Sequence, residues 1–444
     1  MYRFFLFAFA AISGGLLFVT PLSAQDLGNA PYSAEKNIGQ LNSFDLLRNS
    51  GMGGAGVSTG RSDFINLLNP ALLYHNSRAA TFELGLSGQQ NEIRDATTRQ
   101  RTFGANLNYL ALSFPVIANR GAVAVGLTPY STVNYQISFQ NTTTDGSVYR
   151  QELRGQGGLN RVFLSMGGLV WKNLSAGIEG NYVFGSTTRT QTLDFLDAVD
   201  LALSREVLDR TSDVTIKAGL SWQQKVGADR YVNFGLTYDP RTDLNMVREL
   251  RVLSRVAVLR NEVGGSLYNY DDIYVLDSLE RFTLRREGLK TTLPATGRFG
   301  VGFSQAGAGK NYWNVAVDLG YRRWTTYRDP EGNGQLADAY NLHVGAEWLP
   351  SKASLPKYYE RITYRLGVRY AQMPMVVSGE QLDDVGINFG FTLPINKNLA
   401  GVSGALTLGQ RGTTDRDLIQ ERYIRFSLGF SLSDTRWFRR YRLD

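Results

Sequence analysis

The stretch LSAGIEGNYVFG, residues 174–185, has a period of two. Its even-numbered positions carry Leu174, Ala176, Ile178, Gly180, Tyr182 and Phe184. Its odd-numbered positions carry Ser175, Gly177, Glu179, Asn181, Val183 and Gly185. Successive side chains of a β-strand point to opposite faces, so an extended backbone here has one apolar face and one face of glycine, amide and charge. The pattern repeats in VTIKAGLSW (214–222), in YVNFGLTYD (231–239), and through Val315–Arg322, Ile362–Tyr370 and Ile424–Leu432. A two-sheet sandwich also alternates, but its outer face meets bulk water and has little use for so much glycine. Here the polar face gathers Glu179, Lys217, Asp318, Arg322, Glu347, Arg365, Arg369 and Asp384, of both signs. Many apolar faces end in an aromatic residue (Trp222, Tyr238, Trp348, Tyr364, Tyr370), as the girdles at two membrane interfaces require. Oil outside and polar groups inside demand closure, because an open sheet edge has no partner in lipid. The reading is all-β: a transmembrane antiparallel β-barrel of about fourteen strands.

Composition agrees with that reading. Mean hydropathy is −0.22, as expected when only every second strand residue meets lipid. The 47 basic residues face 40 acidic ones without a long basic run, so no nucleic-acid partner is implied. No residue is cysteine, which excludes disulfides and thiolate metal sites. With only His75 and His343, there is no basis for a transition-metal site or a cofactor. His343 and Glu347 share a polar strand face and read as members of a lumenal network. No serine–base pairing suggests a hydrolase, and an enzyme is not expected.

Connections carry a second signal. Ala118–Arg120, Lys172–Asn173, Val226–Arg230, Gln305–Lys310 and Asn396–Asn398 read as short periplasmic turns. Those between them read as long outer loops: Thr142–Gly155, then Leu193–Asp209 as a short amphipathic helix, and Arg241–Thr291 as the longest. Residues 1–24, with Arg3 before an apolar run and Leu22-Ser23-Ala24 before Gln25, read as a secretory signal peptide; the run is short for a spanning anchor and is broken by Ser13-Gly14-Gly15.

Between signal and barrel lies RNSGMGGAGVSTG, with Gly51, Gly53 and Gly56 at the spacing of a dinucleotide loop. Such a loop must follow a strand inside a βαβ unit, and none is present. Residues 25–78 read instead as a polar plug within a lumen that would leak if empty, Gly51, Gly53, Gly54 and Gly56 allowing tight irregular backbone, and Asn69-Pro70-Ala71 fixing a turn before the first strand. A disordered periplasmic tail is the alternative. Residues 79–432 form the barrel, and the basic, aromatic tail 433–444 follows, with Trp437, Phe438 and Tyr441 suited to interfacial anchoring.

The sequence GMGGAGV, followed after a spacer by NPALL, resembles the N-terminal hatch of the FadL family of outer-membrane transporters for long-chain fatty acids and other hydrophobic compounds. GLTPYS (126–131), LPATGRFGVGF (293–303) and the ending ERYIRFSLGFSLSDTRWFRRYRLD fit the same family, the last resembling members from Bacteroidetes-type bacteria. The resemblance implies a fourteen-stranded barrel with an N-terminal hatch. It also implies passive uptake of a hydrophobic small molecule and lateral exit through a kinked third strand, at the place held here by Gly126 and Pro129. A proline cannot donate to the ladder, so Pro129 marks either an opening or a harmless rim bulge.

Inward arginines (Arg298, Arg322, Arg365, Arg369, Arg425) stand opposite Glu179, Asp318, Glu347 and Asp384; they tie wall to plug by charge-assisted hydrogen bonds, or one of them holds a ligand carboxylate. The expected location is the outer membrane of a Gram-negative bacterium, with outer-membrane lipid, lipopolysaccharide and the barrel assembly machinery as partners. The alternative is a non-transporting barrel that serves a protein secretion system as scaffold or cargo shuttle.

Overall fold

The computed structural model describes residues 25–435 apart from 27–29, 36–37, 43–45, 96–97, 143, 145, 147, 196–200, 260–272, 307–310, 332–335, 352–356, 378, 397–399 and 415–417. The signal segment, most of the C-terminal tail and part of YNYDDIY lie outside the described residues.

The wall strands follow one another in chain order: β1 Ala80–Arg94, β2 Arg99–Ile117, β3 Gly121–Thr142, β4 Val148–Trp171, β5 Leu174–Phe195, β6 Leu201–Lys225, β7 Arg230–Asp239 continued by Thr242–Leu259, β8 Ile273–Leu293 continued by Thr296–Ala306, β9 Tyr312–Arg322, β10 Ala339–Leu349, β11 Thr363–Val377, β12 Glu380–Asn396, β13 Ala400–Arg411 and β14 Gln420–Asp434. β7 and β8 are each broken at a proline, Pro240 and Pro294, yet their register carries across the break: Asp239 faces Thr296 and Thr242 faces Leu293. Counted this way the wall has fourteen strands. Each pairs antiparallel with its neighbours, and β14 pairs with β1 from Asp434↔Ala80 to Gln420↔Arg94, which closes the barrel.

Facing follows the two-residue period. On β5, Ile178 and Tyr182 are each 50% exposed, whereas Glu179 and Val183 are 0% exposed. Outward apolar side chains on every flank, among them Leu86, Leu220, Leu319, Leu366 and Leu428, form a surface far too large for water and suited to lipid. No described helix is long and apolar enough to cross a membrane; the strands are the spanning elements.

The wall is lopsided. β9 and β10 have 11 residues each, about the length that a tilted strand needs to span. β4, β5 and β6 have 24, 22 and 25, so roughly a dozen residues of each project past the apolar band, a rise of about 40 Å along the strand. The projection lies at the far end, away from Ala80 and Asp434.

This shape corrects three expectations. Leu193–Asp209 is no helix: β5 runs to Phe195 and β6 starts at Leu201, Asp194 pairing with Ala202 and Thr187 with Asp209. Thr142–Gly155 is mostly strand, since β4 begins at Val148. Arg241–Thr291 is mostly a projecting hairpin, whose arm Met246–Val256 also pairs with β6. In each case both neighbours offer backbone partners, and sheet satisfies more donors than a short isolated helix or loop would. Loop length does not distinguish the ends either: residues 350–362 form a long near-end connection, and β11 and β12 join at the far end through Ser378–Gly379 alone. Strand height distinguishes them. The last strand ends at Asp434, two residues beyond the expected barrel boundary.

Candidate functional site

The near half of the bore is occupied by residues 46–76. A short helix, Leu47–Gly51, leads into the glycines, and a 3-10 helix, Pro70–Asn76, leads out to β1. Gly53 has φ +70°, where a side chain is strained, and a Cβ there would stand 2.9 Å from Val368 N and O on β11. Gly51 lies against Gly390 of β12, each without room for a Cβ on the other. Gly54 and Gly56 are also left-handed or nearly so. At the other end Asn69 caps the 3-10 helix by accepting from Ala71 N at 3.0 Å, and its Nδ2 donates to Val57 O and to Leu220 O of the wall, each at 2.9 Å. Pro70 lies over Gly167, Gly177 and Gly219 of three adjacent strands, where side chains would overlap it. Inward wall glycine therefore serves as the seat of the inner segment.

Buried charge fixes the same segment. The Glu347 carboxylate accepts from Arg48 Nε at 3.1 Å and Nη2 at 3.2 Å, from Arg61 Nη1 at 3.3 Å and from Arg365 Nε at 2.6 Å. Asp318 Oδ2 accepts from the amides of Gly56 and Val57 at 2.6 and 2.8 Å. His343 Nδ1 lies 2.6 Å from Gly53 O. Glu179 pairs with Lys217 and Arg161, each at 3.2 Å, and Lys217 Nζ donates onward to Leu67 O at 3.4 Å. Such groups are costly to bury singly and hold geometry when satisfied together. Sequence placed Glu179, Lys217, Asp318, His343, Glu347 and Arg365 on the bore. It missed Arg48, Arg61, Arg161 and Glu83, whose Oε1 accepts from Ile65 N at 2.6 Å. The available signal was that Arg48 and Arg61 flank the glycine run in a segment otherwise poor in charge.

Farther along the bore a second network joins Arg369 and Arg411 to Asp384, at 3.5 and 2.9 Å, with Arg411 also on Glu421 at 3.2 Å and Tyr423 donating to Asp384 at 2.6 Å. Arg425 donates to Gln89 Oε1 at 2.7 Å. Tyr32, beside Glu421 and donating to Ile419 O, has its phenol pushed up to about 12 by burial and by that carboxylate. Arg322 donates to Thr296 Oγ1 at 2.9 Å and lies over the Trp324 ring at 5.4 Å; Arg298 and Arg322 both line a cavity of about 240 Å³. Above it Ile38, Tyr130, Leu159, Val183, Leu244 and Leu293 pack with Trp324 and Tyr327 of the far-end connection 323–338. That connection is held across the mouth by Glu331, whose Oε2 lies 2.9 Å from Arg189 Nη1 and Oε1 3.0 Å from Arg248 Nη1.

The wall itself has a break. β2 and β3 pair only from Ile117↔Gly121 to Leu110↔Leu127. Two residues past that point, Pro129 pairs with Asn160 and Ser131 with Leu159, leaving Tyr130 as a bulge. Gly126 lies just below, with Leu110 O and the Phe163 ring where a Cβ would go. Beyond the break the N-terminal segment takes up each strand separately. Gln25 and Asp26 pair with Asn106 and Ala105 of β2. Gln40 and Leu41 pair with Thr132 and Ser131 of β3, and Ala30 N donates to Asn134 O at 2.8 Å. Behind the break lies the 240 Å³ cavity, lined there by Leu41, Asn106, Asn108, Thr128 and Pro129.

Solved structures share this architecture. The CymD monoaromatic hydrocarbon channel aligns with a TM-score of 0.53 at 16% identity, covering 90% of this chain and 99% of its own. The Pseudomonas putida toluene transporter TodX aligns at 0.54 and 15%, covering 87% and 97%. A Pseudomonas aeruginosa FadL homologue aligns at 0.52 and 11%, covering 88% and 99%. At these identities the likeness is one of fold: the relation to FadL-type channels is structural and distant. No curated protein matches the sequence. The family model that does match is BamG, over residues 7–444, and the chain belongs to the BamG family.

Proposed function

We propose that this protein is an outer-membrane barrel channel that passes small hydrophobic molecules passively, plugged at rest by its own N-terminal segment and opening sideways between β2 and β3. The observation that carries the reading is the early end of the β2–β3 ladder at Leu110↔Leu127, with the Tyr130 bulge above it and a cavity directly behind. Unpaired backbone in lipid is costly, and a wall that forgoes a ladder there needs a compensating use for the gap. The solved proteins of this fold include a hydrocarbon channel and a toluene transporter, which supports the same reading. Residues 46–76 act as the plug, and residues 30–42 act as a strap over the gap. The near end faces the periplasm and the projecting strands face outward.

The chain lacks cysteine, so a disulfide can be introduced cleanly. Leu41→Cys with Ser131→Cys, register partners across strap and β3, locks the strap. Oxidised proteoliposomes are expected to lose uptake of a radiolabelled fatty acid and of toluene, and reductant to restore it; equal flux in both states would refute the gap as the route. Pro129→Ala is expected to lower uptake while assembly stays normal.

One observation favours the second reading, a non-transporting scaffold for secreted or assembling proteins. The projecting strands of β4–β8 form a tall wall that a channel for small molecules does not need. Stable co-isolation of a large complex, lost when that hairpin is shortened while uptake is unchanged, would support it.

A further inference from the structure

On the outer surface, the strand register places two contrasting rows side by side. Across β12, β13, β14, β1 and β2 one row reads Val385, Gln410, Arg422, Glu92, Arg101. The next row toward the near end reads Ile387, Leu408, Ile424, Gln90, Phe103. Phe103 is 67% exposed, and Ile387, Leu408 and Ile424 are exposed too. From Ile424 the outward face of β14 stays apolar through Phe426, Leu428 and Phe430, so these two rows are where the lipid-facing band ends at the far end.

A groove of about 820 Å³ lies on this boundary, lined by Arg99, Arg101 and Arg422 with Glu92 above, and by Val385, Ile387, Leu408 and Ile424 below. Arg101 Nε contacts Glu92 Oε2 at 3.0 Å, and Arg99 pairs with the same oxygen. Arg422 Nε donates to Gln410 Oε1 at 3.3 Å. The remaining acid, Asp383, accepts from Tyr370 at 2.9 Å. Three guanidiniums thus meet two carboxylates, one of them shared, and the arginine side chains at Arg99 and Arg101 remain more than half exposed.

We propose that this groove seats a phosphorylated, acylated lipid of the far-end leaflet. Its phosphate takes the outward N–H groups of Arg101 and Arg422, and its chains lie over Ile387, Leu408 and Ile424. Guanidinium is the side chain best matched to phosphate, through paired parallel donors, and it is less strongly hydrated than an ammonium. A neutral headgroup would leave the excess positive charge unmet, and a soluble phosphate would leave the apolar floor bare. The site lies outside the bore and makes no use of transport.

Native mass spectrometry of the mildly extracted barrel tests it, with added diphosphorylated glycolipid and phosphatidylethanolamine as competing probes. The wild type is expected to retain the glycolipid over phosphatidylethanolamine. In R101A/R422A that retention is expected to fall about tenfold, the loss of one charge-assisted contact. R101K/R422K should fall between, and R285A, on the projecting hairpin, should match the wild type. Heat-dependent gel mobility verifies that each variant is a closed barrel. Equal retention by wild type and R101A/R422A, or equal retention of the dephosphorylated glycolipid, would overturn the proposal. A barrel that transports nothing would still give the expected result, so this test and the uptake tests fail independently.

Discussion

The two halves of the bore are closed by different physics. In the near half, residues 46–76 fit wall glycines and share buried carboxylates with wall arginines. In the far half, the strap 30–42 pairs over a few residues with each free strand edge and packs Ile38 among aromatic rings. The near closure is specific in shape and charge, and removing any one partner leaves another group buried without compensation. The far closure rests on apolar area and a few backbone bonds. The difference teaches which part can move: the strap can leave at a modest cost, whereas the plug is held as a unit.

The largest expected effect comes from Glu347→Ala. It strands Arg48, Arg61 and Arg365 without a carboxylate, at a cost of about 3–5 kcal/mol. Limited proteolysis should then cut residues 46–76 while the barrel still shows its heat-dependent mobility. If the plug stays protected, its charges are not what holds it. Next, Ile38→Ala should loosen the strap by about 2–4 kcal/mol, raising amide exchange in residues 30–42 and leaving 46–76 unchanged. Exchange rising in both would show that the halves are one unit. Gly53→Ala should cost about 1–2 kcal/mol from the left-handed backbone alone, seen as faster exchange in the plug only.

The smallest effect is one of pH. Glu331, beside Arg189 and Arg248, has its carboxyl held below the usual value of 4.5; burial opposes the shift and the arginine hydrogen bond and charges outweigh it. A lowered carboxyl contributes stability above its unfolded value and loses it as pH falls through the folded one. Protease access to residues 323–338 should therefore be flat near neutrality and rise below about pH 4.5, with the near half unaffected.

Much of this was legible in the sequence, for a physical reason. Where a strand faces oil on one side, the alternation is forced, and Ile178, Glu179, Tyr182 and Val183 point as their pattern says. Past the apolar band that force disappears. The stretch 193–209 carries leucines and acids at spacings that suit a helix as well as a strand, and only its two neighbours in the sheet decide. The prolines at 240 and 294 were visible, but that they break two strands at the same height depends on register. The site was half legible: inward charges could be placed on the bore, but their partners could not. Asp318, expected to face arginine, gives its printed contacts to two backbone amides, which no pattern of side chains announces.

The paired interruptions at Pro240 and Pro294 have an architectural meaning. Below them, Arg230–Asp239 and Thr296–Ala306 already complete the ring with their neighbours. Everything above is an annex standing on a finished foundation. Its height can be lengthened, trimmed or exchanged between relatives without reopening the masonry underneath, so evolution can rewrite what this protein shows to its surroundings while leaving untouched the vessel that carries it.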